Sequence, residues 1–112
     1  MSFDAALFED AKLLDAVTTG TGTGIQLNGG KLLKVFFQAG GTTISAGAVQ
    51  IEEAYASDYS GTWSPIGSPQ TISTTSTNVL IFEGPFKAIR ARVSTTVTGT
   101  GTPSVTVWAV VQ

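Results

Sequence analysis

Residues 84–94, Gly-Pro-Phe-Lys-Ala-Ile-Arg-Ala-Arg-Val-Ser, decide the fold class. After the Gly-Pro corner, side chains alternate with the two-residue period of a half-buried β-strand, so that Arg90 and Arg92 are expected on the solvent face. A second apolar run, residues 105–111, follows across a Thr- and Gly-rich link. We expect the two runs to pair as an antiparallel hairpin that closes an all-β fold.

Further short strands, separated by turn residues, are predicted at residues 25–27, 31–38, 48–55, 62–66 and 78–82. The residues 49–52 alternate, which places Val49 and Ile51 inward and Gln50 and Glu52 outward. The 31–38 run is apolar on both faces near its middle, which indicates a central strand with one face partly covered. The polar run 70–77 is predicted as a loop or an edge strand. Together these patterns predict an antiparallel β-sandwich or jelly roll of about seven to eight short strands.

The N-terminal segment, residues 1–17, differs from the rest because its apolar side chains recur at helical spacing. It is predicted to form a short amphipathic helix, which is marginal in water on its own and must pack on something. It either covers an open end of its own sandwich or docks as an arm on a neighbouring subunit through Phe3, Leu7 and Leu14. Residues 18–24, with glycine at alternate positions, are predicted as a linker or a glycine-rich strand edge, and residues 25–112 as the sandwich domain.

Composition limits the possible functions. At 112 residues the chain is predicted to be one domain, and its net charge of −2 gives no basic surface for nucleic acid. No apolar run approaches the length that spans a membrane.

The chain has no cysteine and no histidine, which removes the usual bases of nucleophilic catalysis. Adjacent Glu52 and Glu53 would point to opposite faces of a strand, so they could not act together as a pair of catalytic carboxylates. We therefore expect no enzyme activity, cofactor, metal or small-molecule ligand.

Two groups of side chains are candidates for binding. If they are exposed, Tyr55, Tyr59 and Trp63 could stack on a sugar ring, which would make the chain a carbohydrate-binding module. If they are buried, Trp63 would plug the end of the sandwich and the tyrosines would form its rim. Arg90 and Arg92 could pair with carboxylates of an adjacent subunit, or simply belong to a solvated strand face.

Several motifs in this order resemble small β-sandwich structural proteins of tailed bacteriophages. They are Thr-Gly-Thr-Gly-Ile-Gln-Leu-Asn-Gly-Gly at 21–30, a strand ending at Phe37, Asp-Tyr-Ser-Gly-Thr-Trp at 58–63, the run 84–93 and a final Ser-Val-Thr-Val strand. The resemblance covers roughly residues 19–112. The chain departs from the pattern in its N-terminal segment and at 55–57, where such domains tend to have a Gly-Ser-Asn type of turn.

The resemblance implies a non-enzymatic virion component, assembled in the host cytoplasm. A capsid decoration or cement protein is the first expectation, and a tail, baseplate or fibre component is the alternative. The expected partners are other copies of the chain, as a homo-oligomer such as a trimer, together with the major capsid protein or other virion proteins. Exposed apolar strand faces and an unsupported N-terminal helix also favour self-association.

Overall fold

The computed structural model describes residues 10–27, 32–73, 77–83 and 86–111, and within them the chain forms eight β-strands and no helix. The strands are β1 (Asp10–Val17), β2 (Ile25–Gln26), β3 (Leu32–Gly40), β4 (Thr43–Ala54), β5 (Ser64–Thr71), β6 (Thr77–Glu83), β7 (Ala88–Thr100) and β8 (Ser104–Val111). They form two antiparallel four-stranded sheets, sheet I in the order β1-β8-β3-β6 and sheet II in the order β2-β7-β4-β5. The predicted β-sandwich is confirmed.

The core lies between the sheets and is built by the inward side chains of alternating positions. Val35 and Phe37 of β3 face Val49 and Ile51 of β4 within one buried cluster, and each is at most 2% exposed. Burying an aliphatic side chain of this size contributes about 1.5–3 kcal/mol relative to leaving it in water. The central strands β3, β8, β4 and β7 therefore hold the two sheets together. The central position predicted for the 31–38 run is confirmed by β3, which pairs with both β6 and β8.

The predicted C-terminal hairpin is wrong, because β7 and β8 belong to different sheets. β7 pairs with β2 and β4, whereas β8 pairs with β1 and β3. Much of the predicted link is strand, since β7 runs for 13 residues to Thr100. The chain then turns sharply at Gly101 and Thr102, which have φ of 70° and 61°, and enters the opposite sheet. The turn is therefore a corner of the sandwich.

The predicted N-terminal helix is wrong over Asp10–Val17, which form the edge strand β1. The pairing of β1 with β8 shifts between Lys12 and Leu14 and again between Leu14 and Val17. These irregularities allow the adjacent Leu13 and Leu14 to be buried together, at 3% and 5% exposed. Such a bulged strand shows apolar spacings that mimic a helix. The first nine residues, with Phe3 and Leu7, lie outside the described residues.

The predicted linker 18–24 is part of the sandwich and runs along the edge of sheet II. The N–H groups of Val97 and Val93 donate to the carbonyls of Thr18 and Gly20, and the N–H of Gly22 donates to the carbonyl of Ala91, each at 2.8 Å. Of the two alternatives, the glycine-rich strand edge describes this segment. The chain thus passes from sheet I to sheet II directly after β1, and the sandwich includes residues that the sequence assigned to an arm and a linker.

This close packing leads to a first prediction. A Cβ added at Gly22 would collide with the backbone carbonyl oxygen of Leu13. Gly22→Ala is therefore expected to lower the free energy of unfolding by about 1–2 kcal/mol, as inserted methyl groups do in packed regions. Thr23→Ala, at an exposed neighbouring position, is the control and should change it little. Equal urea midpoints for Gly22→Ala and the unchanged chain would show instead that the segment is a loose linker.

Candidate functional site

The predicted aromatic group is split by the structure. Tyr55 is 72% exposed and its ring lies 5.1 Å from that of Tyr59, measured between centroids. Trp63 is only 4% exposed, and its Nε1–H donates to the carbonyl oxygen of Tyr59 at 3.0 Å. A surface of three exposed rings does not form, because the indole turns inward. This burial removes the main observation behind the carbohydrate-binding hypothesis.

Trp63 covers the outer face of sheet II rather than plugging an end of the sandwich. Its ring lies under the guanidinium of Arg90, with 4.5 Å between the guanidinium carbon and the ring centroid. Arg90 is on the outer face because its neighbours Ile89 and Ala91 point into the core. The indole and the guanidinium form a stacked cation–π pair. The guanidinium therefore covers one face of the indole, which is itself only 4% exposed.

Arg90 and Arg92 lie on the outer face of β7, as the alternation predicted, and there both bind a carboxylate of their own chain. Arg90 Nε donates to Glu52 Oε1 at 2.8 Å, and Arg92 Nε donates to Glu52 Oε2 at 3.1 Å. The register explains this arrangement, since Glu52 lies opposite Arg90 and Gln50 lies opposite Arg92. The carboxylate is thus shared between two arginines of one strand.

Gln50 and Glu52 do point outward from the core, as predicted, but they are buried, at 4% and 6% exposed. For Gln50 the cause is an irregularity in β5, where the pairing with β4 shifts between Val49 and Ile51. The Gln50 side-chain amide fills this gap and donates to the carbonyl oxygens of Ile66 and Gly67 at 3.2 and 3.3 Å. These polar side chains hold strands together and are not available to a ligand.

The remaining predicted contact residue, Leu14, is 5% exposed and belongs to the core cluster. It cannot serve as a docking residue of an arm. Among the described residues, no three Asp, Glu, His or Cys side chains lie together in a way that could hold a metal ion. The same part of the chain contains no helix that is long and apolar enough to cross a membrane.

The largest unexplained feature is the outer face of sheet I, which is apolar and exposed. Four large apolar side chains lie on it, at 38% to 61% exposed: Leu32, Val79, Ile81 and Trp108. They share this face because their neighbours along each strand, including Leu33, Val35, Val107 and Ala109, point into the core. We call this surface the apolar face. An exposed apolar surface that spans several strands is typical of a protein–protein contact.

The apolar face has a depression where β3 begins and β8 ends. It has a volume of about 150 Å³ and is lined by Leu32, Lys34, Ile81 and Val110. At the other side of the face, Lys12 Nζ lies 4.6 Å from the centroid of a Trp108 ring and 3.4 Å from Asp15 Oδ1. An apolar surface bordered by lysines is suited to a partner that presents apolar and acidic side chains.

Sequence reasoning found only part of this face. The double-sided apolar pattern of residues 31–38 indicated that the second face of β3 needs a cover. The signals on the other strands were the consecutive apolar residues 79–82 and the position of Trp108 between two core residues. These signals do not by themselves predict an apolar outer face, because alternation does not reveal how many apolar positions face outward.

Comparison with known proteins identifies a shared fold. No protein-family model matches the sequence, and no curated protein matches it by sequence. The crystal structure of the SPBc2 prophage-derived protein YomS matches with a TM-score of 0.61, covering 94% of this chain and 93% of that chain at 16% sequence identity. The match extends over nearly the whole of both chains, so the two proteins share a fold along almost their entire length.

Proposed function

We propose that this chain is a structural protein of a phage virion, with capsid decoration as its first role. The observation that carries the proposal is the fold shared with a prophage-derived protein over 94% of the chain. The motif resemblance to small structural proteins of tailed phages agrees with it. In this proposal the chain has no enzymatic activity and acts through surfaces alone, in contact with the major capsid protein and with other copies of itself.

The apolar face supports a role that depends on contact with other proteins. Ile81 is 61% exposed and Val79 is 45% exposed on a single strand, a cost in solubility that a partner would remove. Decoration of a shell would place this face on the capsid and leave the Tyr55 end of sheet II toward solvent. A tail, baseplate or fibre position would use the same face, and the experiment below separates the two.

The test is an add-back experiment on purified particles. Particles of the phage that encodes the chain are prepared with and without its gene, separated into heads and tails, and incubated with the purified chain. The chain is expected to bind heads that lack it, at a copy number comparable with that of the major capsid protein, and to raise the temperature at which they release DNA. Binding to tails alone would favour the tail role.

Matched variants locate the binding surface. Leu32→Lys and Trp108→Lys place charges on the apolar face and are expected to abolish binding to particles, because a buried lysine must lose its hydration. Tyr55→Ala, just after β4 of the opposite sheet and 72% exposed, is the control that should bind normally. A chain that binds neither heads nor tails would refute the proposed function.

A further inference from the structure

We propose that β6 pairs edge to edge with β6 of a second copy, antiparallel about a two-fold axis, and joins two copies of sheet I into one sheet. This pairing gives a geometry to the self-association included in the proposed function. It can nevertheless occur without a virion.

Of the four sheet edges that the described residues form, three are protected against pairing. β1 is interrupted by two register shifts. β2 has only two residues. β5 contains Pro65 and Pro69 and a register shift. Bulges, short strands and prolines are the usual means by which natural sheets block association at an edge.

The fourth edge, β6, has none of these protections. Its seven residues pair with β3 in uninterrupted register, from Leu32 opposite Glu83 to Gln38 opposite Thr77. It contains no proline, and Glu83 at its end is its only charged residue. Among the described residues no strand pairs with the other side of β6. Every second residue of an antiparallel edge strand directs its N–H and C=O outward, so β6 presents a regular row of donors and acceptors.

The sequence of β6 is compatible with a copy of itself. The two-fold register that pairs all seven residues places Leu80 opposite Leu80 of the second copy and Val79 opposite Ile81 of the second copy. The exposed Val79 and Ile81 then cover each other across the joint, as directly opposed residues do in a sheet. Glu83 lies opposite Thr77 of the second copy, so no like charges meet. A second copy is therefore the occupant that fits this edge.

The pairing has a consequence for the apolar face. Two copies of sheet I form one eight-stranded sheet, and their apolar faces become a continuous surface with two depressions lined by Leu32, Lys34, Ile81 and Val110. Edge pairing uses the backbone donors and acceptors along β6 but leaves most of the apolar face exposed. The dimer would then present to a larger partner twice the surface that a single copy offers.

The first experiment measures the mass of the purified full chain by light scattering at micromolar concentrations. The chain of 11.5 kDa is expected to show twice that mass. The double variant Val79→Lys/Ile81→Lys opposes like charges across the joint and should halve the measured mass, with an unchanged circular dichroism spectrum. Trp108→Lys is the matched control on β8, two strands away from the edge, and should remain a dimer.

The second experiment tests the register by disulfide formation, for which the cysteine-free chain has no background. An oxidised mixture of Val79→Cys and Ile81→Cys chains should yield covalent dimers linked between positions 79 and 81. Either chain alone should yield far fewer, because identical positions are diagonal in this register and too distant for an unstrained disulfide.

The outcomes separate this proposal from the proposed function. A monomeric full chain, a lysine double variant that stays dimeric, or a mixture that does not cross-link would overturn edge pairing. A monomeric Trp108→Lys variant would show that copies associate face to face instead. A monomer that still binds particles would refute the pairing and leave the virion role intact, whereas a cross-linked dimer that binds no particle would do the reverse.

Discussion

Replacing Trp63 by alanine is expected to lower the free energy of unfolding by about 3–5 kcal/mol, the usual cost of removing a buried large aromatic side chain. The indole is 4% exposed, stacks on the Arg90 guanidinium at 4.5 Å and donates a hydrogen bond to the Tyr59 carbonyl. Its removal would leave a cavity, a Tyr59 carbonyl without its donor and an Arg90 guanidinium without its aromatic partner. Urea denaturation followed by circular dichroism measures the loss.

Close packing around the indole strengthens this expectation. A Cβ at Gly24 would lie 2.7 Å from Trp63 Cη2 and 2.6 Å from the carbonyl oxygen of Ser57. The ring therefore rests directly on the backbone of the segment before β2. Closing the space that the indole leaves would require this backbone to move, so we expect relaxation to recover only part of the loss.

Two control variants show which part of the expected loss of stability comes from the indole N–H and which part depends on burial. Trp63→Phe retains a ring over Arg90 but loses the N–H donor, and it should cost about 1–2 kcal/mol, which is the loss of one buried hydrogen bond and part of the packing. Tyr55→Ala should change stability by less than about 0.5 kcal/mol because this residue is exposed. A stable Trp63→Ala variant that lost affinity for glycans would contradict this account and revive the carbohydrate-binding hypothesis.

The sequence predicted the fold class and several strand faces correctly, because alternation is a local property. Ile89, Ala91 and Val93 point into the core as their period predicts. The partner of β7 could not be predicted in the same way, since alternation fixes which face is buried but not which strand lies alongside. Threonine-rich residues 95–100 also resemble a loop in composition, although they continue β7.

The error at the N-terminus has a specific physical cause. A regular strand buries every second side chain, so consecutive buried residues such as Leu13 and Leu14 look helical. Here a bulge places both inward, and Ala16 adopts a φ of 51° that few non-glycine residues take. Neither feature leaves a recognisable signal in the sequence. Alternation does not predict the burial of Glu52 either, because its ion pairs with Arg90 and Arg92 depend on the register between β4 and β7.

Replacing Glu52 by alanine is expected to lower the free energy of unfolding by about 3 kcal/mol, because it leaves two arginines on one strand without their shared counter-charge. The Glu52 side chain is 8% exposed, and those of Arg90 and Arg92 are 24% and 41% exposed. The two guanidinium groups would then repel each other beside the Trp63 ring. The measurement is again the urea midpoint, compared for single and paired substitutions.

The exposures of the three side chains predict an order of effects. Arg92→Ala should cost less than about 1 kcal/mol, since its partly solvated ion pair is weak. Arg90→Ala should cost more than that, because Arg90 is less exposed and also stacks on Trp63. The double variant Glu52→Ala/Arg92→Ala should lose less free energy of unfolding than the two single variants lose together, because it removes one of the two repelling charges. If Arg92→Ala were as damaging as Glu52→Ala, the carboxylate would depend mainly on Arg92, and the stacking of Arg90 on Trp63 would contribute little to the stability of this ion-pair cluster.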